Sequence, residues 1–215
     1  MSRPIVIAHH LIWTAYGWWL PNDPRGSTSR TVASDVIAAL GELHHGRRRL
    51  QPASGAIREF YERASELLKF PLLELSAGDV RLVADALGEA ISRHRYTCYA
   101  CAIMPDHVHV VIRKHRHKAE EMIEHLQEAS RLALRGCGAR AEGHPVWGGG
   151  GWKVFLDSPE DVRRTIAYIR DNPVKLRLAG QEWPFVSEYD GWPLHPGHDP
   201  NSPYARRLRG GGRSC

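Results

Sequence analysis

Two apolar runs separated by only three residues restrict the fold of this 215-residue chain more than any other feature. Residues 96–103 form the first run and residues 107–113 the second, with Met104-Pro105-Asp106 between them. β-Branched and aromatic residues are frequent in both runs, as they are in strands. Proline and aspartate favour a turn. The pattern predicts an antiparallel hairpin, and therefore a β-sheet in the centre of the protein.

Helices are predicted on both sides of this hairpin. Ser76 and Asp79 have the spacing of a capping box, and apolar residues follow them at helical intervals. After the hairpin, residues 118–135 carry an amphipathic helical pattern. Together with strands predicted at 5–13 and 152–156, these elements alternate as in a βαββαβ unit.

A last helix is predicted from Ser158. A serine cap, a proline in the first position and two acidic residues in the first turn stand next to one another at its start. We expect it to end at Asn172, because Pro173 disfavours the helical conformation in the residue before it. The predicted fold is therefore α/β (α+β): a ferredoxin-like βαββαβ sandwich with an antiparallel sheet, plus a C-terminal helix.

The predicted domain spans residues 1–190 and carries an insertion at 31–75, where helices are expected near 34–41 and 55–69. Residues 191–215 are rich in proline, glycine and arginine, and we expect a mobile basic tail there. A 42% apolar content is enough for a sizeable core. No apolar run is long enough to span a membrane, so we expect a cytoplasmic protein that does not bind membranes.

The formal net charge of +5 favours a polyanionic partner without naming one. Thirteen histidines add positive charge at mildly acidic pH. Nucleic acid is the partner class that this balance most favours.

The tripeptide His107-Val108-His109 is the first candidate site. Residues i and i+2 of a strand point to the same face, about 7 Å apart, so both imidazoles can bind one cation. The alternative is a polar pair on the surface that alternates with buried valines. Two nitrogen ligands leave the coordination sphere of a divalent ion incomplete, so the metal interpretation requires a further ligand.

Tyr168 and Asn172 lie one turn apart on the last predicted helix, with Arg164 one turn earlier. An asparagine oxygen suits a hard cation. A phenol has a pKa of about 10 and so keeps its proton at neutral pH. A nearby cation stabilises the phenolate and makes loss of the proton easier. The alternative is that Tyr168 packs in the core and Asn172 only terminates the helix.

Two segments resemble the IS200-like, single-tyrosine (Y1) HUH transposases, and especially the REP-associated tyrosine transposases. They are Ala102-Ile103-Met104-Pro105-Asp106-His107-Val108-His109-Val110-Val111 and Tyr168-Ile169-Arg170-Asp171-Asn172-Pro173-Val174-Lys175. Residues 10–17 and 19–26 are similar to N-terminal motifs of that family. The IS200 branch usually has glutamine four residues after the tyrosine, whereas the REP-associated branch tolerates the asparagine found here.

The resemblance implies a ferredoxin-like fold in which His107 and His109 bind a metal and Tyr168 is the nucleophile. Asn172 would complete the ligands of a divalent ion, Mg²⁺ or Mn²⁺. Tyr168 would cleave single-stranded DNA, at hairpin (palindromic) elements, through a 5′-phosphotyrosine intermediate that permits rejoining. Family members commonly form homodimers, and the tyrosine can serve its own chain or the partner.

Basic residues near these motifs are predicted to hold DNA phosphates, although any one of them could simply be solvated. They are Arg25, Arg113, Lys114, Arg164, Arg170 and Lys175. Trp18, Trp19 and Trp152 could stack on bases or pack in the core. Arg47-Arg48-Arg49 and the tail arginines Arg206, Arg207, Arg209 and Arg213 could add salt-sensitive contacts, whereas His115-Arg116-His117 is interpreted as a polar turn.

Two other functions fit the same fold. One is a domesticated, non-catalytic protein that binds hairpin DNA or structured RNA. The other is a metal-dependent phosphodiesterase in which Tyr168 only packs. The presence of Tyr168, both histidines and Asn172 together favours the transposase.

Overall fold

A computed structural model of the chain describes residues 5–27, 35–46, 50–136 and 143–192. Within these ranges one sheet contains four strands: β1 Ala8–Thr14, β2 Cys98–Ile103, β3 His107–Arg113 and β4 Trp152–Leu156. The helices in the same ranges are α1 Asp35–Ala38, α2 Ser54–Leu67, α3 Ala77–His94, α4 Ala119–Gly136 and α5 Pro159–Lys175.

The strands lie in the order β2-β3-β1-β4, and all neighbours are antiparallel. This order interleaves two βαβ units. In the first, α3 connects β1 to β2 with β3 between them, and in the second, α4 connects β3 to β4 with β1 between them. The predicted ferredoxin-like sandwich is confirmed. The additional helix α5 packs on β2, β3 and β4.

The hairpin forms where the sequence predicts it. The Met104 amide donates to the His107 carbonyl at 2.7 Å, and Ile103 pairs with Val108. Because the turn is short, the register of β2 against β3 is closely determined. Ala102 therefore faces His109 across the hairpin, and its methyl group leaves room beside the imidazole.

Strand alternation assigns the two faces of the sheet. On one face, Leu11, Val108, Val110 and Ile112 belong to the main core with α3 and α4. On the other face, the residues under α5 are small or apolar except where they form the candidate site: Ala8, Ala100, Ala102 and Val111. The two candidate ligands His107 and His109 alternate with the core valines and so lie on the α5 face.

Local signals determine the helix starts correctly. At α3, the Ser76 hydroxyl accepts from the Asp79 amide while the Asp79 carboxylate accepts from the Ser76 amide, which is a complete capping box. At α5, the Ser158 hydroxyl accepts from the Asp161 amide at 3.1 Å. Both bonds satisfy amides that the helix itself leaves unpaired.

The predicted end of α5 at Asn172 is wrong, because the helix continues through Pro173 to Lys175. Pro173 is buried, and this burial offsets the hydrogen bond that its missing N–H removes. After it, the Leu176 amide donates to the Pro173 carbonyl at 3.1 Å, which closes the last turn. Because α5 continues beyond Asn172, Lys175 lies on the same helix as Tyr168.

In the insertion, α1 and α2 pack together around Leu40, Phe60, Tyr61 and Ala64, with Trp18 against them. The arginines at 47–49 and the tail beyond residue 192 lie outside the described residues. Among the helices that the structure describes, none is long and apolar enough to cross a membrane.

His9 is a buried histidine on the α3–α4 face of β1. Neither ring nitrogen has a hydrogen-bond partner among the described residues, and the ring lies edge-on to Phe155. Burial, with the charge of Lys114, lowers the pKa of His9 to about 4. The unfolded chain takes up a proton near pH 6.5, whereas the folded chain does so only near pH 4. Stability is therefore lost as the pH falls through this window.

Replacing His9 with leucine tests this account. Between pH 7 and pH 5 we expect the free energy of unfolding of the natural chain to fall by about 2 kcal/mol more than that of His9→Leu. At pH 7 the variant should be at least as stable, because it buries no unpaired nitrogen. Urea unfolding at both pH values measures the difference, and equal pH dependence in the two proteins would refute the assignment.

Candidate active site

His107 and His109 lie side by side on β3, with ring centroids 4.7 Å apart. His107 begins the strand and is partly exposed, whereas His109 is buried beneath α5. Their spacing follows directly from the strand period of two. Each has a partner on one ring nitrogen, and these partners decide what the other nitrogen can do.

The partner of His107 is Asp106, the last residue of the hairpin turn. Its carboxylate lies 2.5 Å from Nδ1 of His107. Burial alone would raise the pKa of Asp106, but the hydrogen bond and charge of His107 and the charge of Arg25 hold that pKa below its usual range. An ionised Asp106 accepts from Nδ1–H, so Nε2 of His107 keeps its lone pair. A carboxylate that accepts from one ring nitrogen, as Asp106 does, orients many metal-bound histidines.

The partner of His109 is His10 on β1, whose Nε2 lies 2.9 Å from Nδ1 of His109. Both imidazoles are buried, and burial lowers the pKa of His10 to about 4 and that of His109 well below its usual value. One neutral ring must therefore donate to the other. When Nδ1–H of His109 donates to His10, Nε2 of His109 is free to bind a cation.

Tyr168 lies over the same pair within a single chain. Its ring centroid is 5.8 Å from that of His109 and 6.4 Å from that of His10. The helix is fixed by Ile166 and Ile169, which are buried against the sheet, while 42% of Tyr168 stays exposed. The nucleophile candidate is thus held beside the histidines but remains accessible to a substrate.

Lys175 follows Tyr168 on α5. Its Nζ lies 5.2 Å from the centroid of the Tyr168 ring, within the range of a cation–π interaction. The ammonium group would attract a phosphate bound beside the phenol.

Asn172 is one turn beyond Tyr168 on the same side of α5. Its Nδ2 is buried and has no hydrogen-bond partner among the described residues. The NH2 end of an amide donates hydrogen bonds, so the cost of leaving it unpaired is relieved by an acceptor, whereas a cation would bind the amide oxygen at the other end of the group. Two imidazole nitrogens and an amide oxygen form a donor set that fits a divalent cation.

Four predicted DNA-binding residues are exposed: Lys114, Arg164, Arg170 and Lys175. Three of them are on α5. Arg164 forms an ion pair with Asp161 on the preceding turn, which leaves most of its length in solvent. Exposed acidic residues, Glu160 and Asp171, lie on the same helix, so α5 carries charges of both signs next to Tyr168.

The other two predicted DNA-binding residues have protein partners. The Arg25 guanidinium forms an ion pair with the buried carboxylate of Asp23 at 2.8 Å and also donates to the Tyr61 hydroxyl. Arg113 lies 3.8 Å from the Asp190 carboxylate. Arg25 therefore connects the first turn of the chain to the insertion.

The sequence motifs missed His10 as part of the site. It is one of two adjacent histidines in an apolar strand, and only one of them can face α5. Sequence alone did not show which one, because that depends on the register of β1 against β3. The pairing of Ile12 with His109 and of His10 with Val111 settles it.

No protein-family model and no curated protein matches the chain. Solved structures do. One is that of a REP-associated tyrosine transposase bound to a REP hairpin, with 11% identity, a TM-score of 0.44, and coverage of 83% of this chain and 74% of that one. Another is a candidate transposase from Deinococcus radiodurans R1, with 14% identity, a TM-score of 0.35, and coverage of 84% and 97%. Both structures are described as transposases.

The role of His10 can be separated from general burial by comparing it with its neighbour. Replacing His10 with alanine removes the acceptor that orients His109, and we expect the affinity for Mn²⁺ to fall by about 10- to 100-fold. The control is His9→Leu, which alters the adjacent residue on the opposite face and should leave the affinity unchanged. Electron paramagnetic resonance of free Mn²⁺ measures both. Equal affinities would show that His10 does not orient a ligand.

Proposed function

We propose that this chain is a metal-dependent, single-strand DNA nuclease and strand transferase, a tyrosine transposase that cleaves and rejoins DNA at hairpin elements. The observation that carries the proposal is the position of Tyr168, whose ring lies 5.8 Å from that of His109 in the same chain. A tyrosine that only packed would be covered, yet this one is 42% exposed. The sequence resemblance to the REP-associated transposases supports the same conclusion.

His107, His109 and Asn172 would hold a divalent cation, Mg²⁺ or Mn²⁺. When bound, the cation would draw electron density from a phosphoryl oxygen and favour loss of the phenol proton. Asp106 and His10 would keep the two imidazoles in the tautomers that present Nε2. The protein thus contributes a fixed pair of ligands rather than a pair that must order when the ion binds.

Tyr168 would attack the scissile phosphorus after its hydroxyl loses a proton. A bond forms between the phenol oxygen and phosphorus, and the bond from phosphorus to the 3′-oxygen breaks, so that a 3′-hydroxyl leaves with a proton from solvent. The 5′-phosphotyrosine keeps the energy of the broken phosphodiester. A second 3′-hydroxyl can then reverse the reaction and join the strands without ATP.

Single-stranded DNA suits the exposed surfaces beside Tyr168. Trp152 pairs with Ile12, which pairs with His109, so these three residues form one row across the sheet. At the usual strand spacing, Trp152 lies about 10 Å from His109. Its exposed ring would stack on a base next to the scissile phosphate, while Arg170 and Lys175 would hold the backbone.

The two rival functions differ from this one in what they do with Tyr168. A binder without catalytic activity has no use for an exposed phenol beside three imidazoles. A phosphodiesterase that activates water would cleave without a covalent adduct.

We also propose that the protein acts as a homodimer, with each Tyr168 serving the histidines of its own chain.

Incubation with single-stranded oligonucleotides carrying palindromes, with Mn²⁺, should give a protein–DNA adduct on a denaturing gel. Tyr168→Phe should abolish the adduct, because the attacking oxygen is gone. The matched control is Tyr189→Phe, a tyrosine on the same side of the sheet that contacts Tyr99, and it should keep the adduct. Cleavage that survives Tyr168→Phe would favour the phosphodiesterase, and binding without cleavage would favour the non-catalytic protein.

Lys175 offers a test of charge beside the nucleophile. Lys175→Met removes the cation 5.2 Å from the Tyr168 ring, and we expect the rate of adduct formation to fall about tenfold. Lys175→Arg keeps the charge and should stay within about threefold of the natural rate. Single-turnover kinetics with saturating DNA separate this effect from weaker binding. Equal rates for methionine and arginine would contradict a role for the charge.

A further inference from the structure

A second group of histidines lies on the α3–α4 side of the sheet, opposite the Tyr168 helix. His94 ends α3, His117 belongs to the connection between β3 and α4, and His125 lies in α4. We call these three residues the outer histidine cluster. They surround the hydroxyl end of Tyr96, a residue of the main core. The proposed DNA-cleaving site uses none of them.

The three imidazoles are close enough to bind one ion. One ring nitrogen of each lies within 4.8 Å of a ring nitrogen of the other two. The rings of His94 and His125 are stacked with centroids 3.9 Å apart, and those of His117 and His125 are 5.2 Å apart. All three side chains are half-buried, so an ion can reach them from solvent. His117, which lies in the segment interpreted from the sequence as a polar turn, therefore belongs to this cluster.

Tyr96 orients two of the histidines. Its hydroxyl lies 2.9 Å from Nδ1 of His117 and 2.8 Å from Nδ1 of His125. A phenol oxygen has two lone pairs and can accept from both Nδ1–H groups. In that state, Nε2 of His117 and Nε2 of His125 both keep their lone pairs. A partner on one ring nitrogen with the other nitrogen free is the usual arrangement around a metal-bound histidine.

Charged groups near the cluster act in both directions, because positive neighbours disfavour an imidazolium and would also repel a bound cation. Burial, followed by the charges of His125, His117 and Arg93, lowers the pKa of His94. A carboxylate is close by as well, because a hydrogen bond from the Lys118 amide and the charges of His117 and His125 lower the pKa of Glu121. The carboxylate of Glu121 can offset part of the charge that a bound ion would bring.

We propose that the outer histidine cluster is a second metal site, specific for a borderline transition-metal cation of the Zn²⁺ class, which connects the end of α3 to α4. Three imidazole nitrogens suit such ions, whereas Mg²⁺ prefers oxygen ligands. The ring of His94 must turn out of its stack on His125, since two parallel stacked rings cannot both direct a lone pair at one ion. His94 can do so because it is the last residue of its helix.

The bound ion would act as a clamp. Ligands from three separate segments are joined only in the folded chain, so metal binding stabilises the fold. The fourth position would face solvent and hold a water molecule or Glu121. Because the clamp lies across the sheet from Tyr168, its loss should not remove the DNA-cleaving residues.

The test uses the full chain carrying His107→Ala and His109→Ala, so that the proposed DNA-cleaving site cannot bind metal. Competition with a chromophoric chelator measures Zn²⁺ affinity. In this background we expect one Zn²⁺ per chain, with affinity lowered more than about tenfold by His94→Gln or His125→Gln and about tenfold by Tyr96→Phe. The control is His45→Gln, an exposed histidine outside both sites, which should bind as the background does.

Thermal melting with and without Zn²⁺ provides the second measurement. The melting temperature should rise with Zn²⁺ in the background chain and in His45→Gln, but not in His125→Gln. Melting without metal shows whether each variant folds. The proposal is overturned if the chain carrying His107→Ala and His109→Ala binds no Zn²⁺. It is also overturned if His94→Gln and His125→Gln bind Zn²⁺ as tightly as the background chain does.

Discussion

The antiparallel pairing of β1 with β3 is the interaction on which both the fold and the candidate site depend. In its register, Ile12 faces His109 and His10 faces Val111. Two imidazoles that are 99 residues apart in the chain then come within hydrogen-bonding distance. A slip of one residue would turn every side chain of β1 to the other face, so that His9 would replace His10 and the core leucine would leave the core. The apolar face and the site are therefore fixed by the same pairing.

Burial under α5 gives these histidines their chemistry. It disfavours the imidazolium forms of His10 and His109, so the rings remain neutral and able to donate lone pairs. In the outer histidine cluster, Tyr96 lies within hydrogen-bonding distance of two rings, and burial followed by neighbouring positive groups lowers the pKa of His94. The two sites lie on opposite sides of one sheet. We infer that they differ in the ions they bind, since one includes an amide oxygen and the other consists of imidazoles.

Much of the fold follows from local sequence. The hairpin, the capping serines Ser76 and Ser158 and the order of strands and helices along the chain were all predictable, because turns, caps and periodicity act over only a few residues. The end of α5 was not predictable in this way. The rule that a helix stops before proline treats the local backbone alone, whereas Pro173 is buried in the folded chain and the last turn closes after it. A tertiary contact offset a local cost.

By itself, the sequence determined the residue types and periods of the site: two histidines on one face of β3, and a tyrosine and an asparagine one turn apart on a capped helix. Only the tertiary structure decided which residues meet. It brought Tyr168 over His109 within one chain, selected His10 rather than His9 as the partner of His109, and gathered His94, His117 and His125 from three segments. The physical reason is that strand register and helix packing act between segments distant in sequence, and no local pattern records their relative positions.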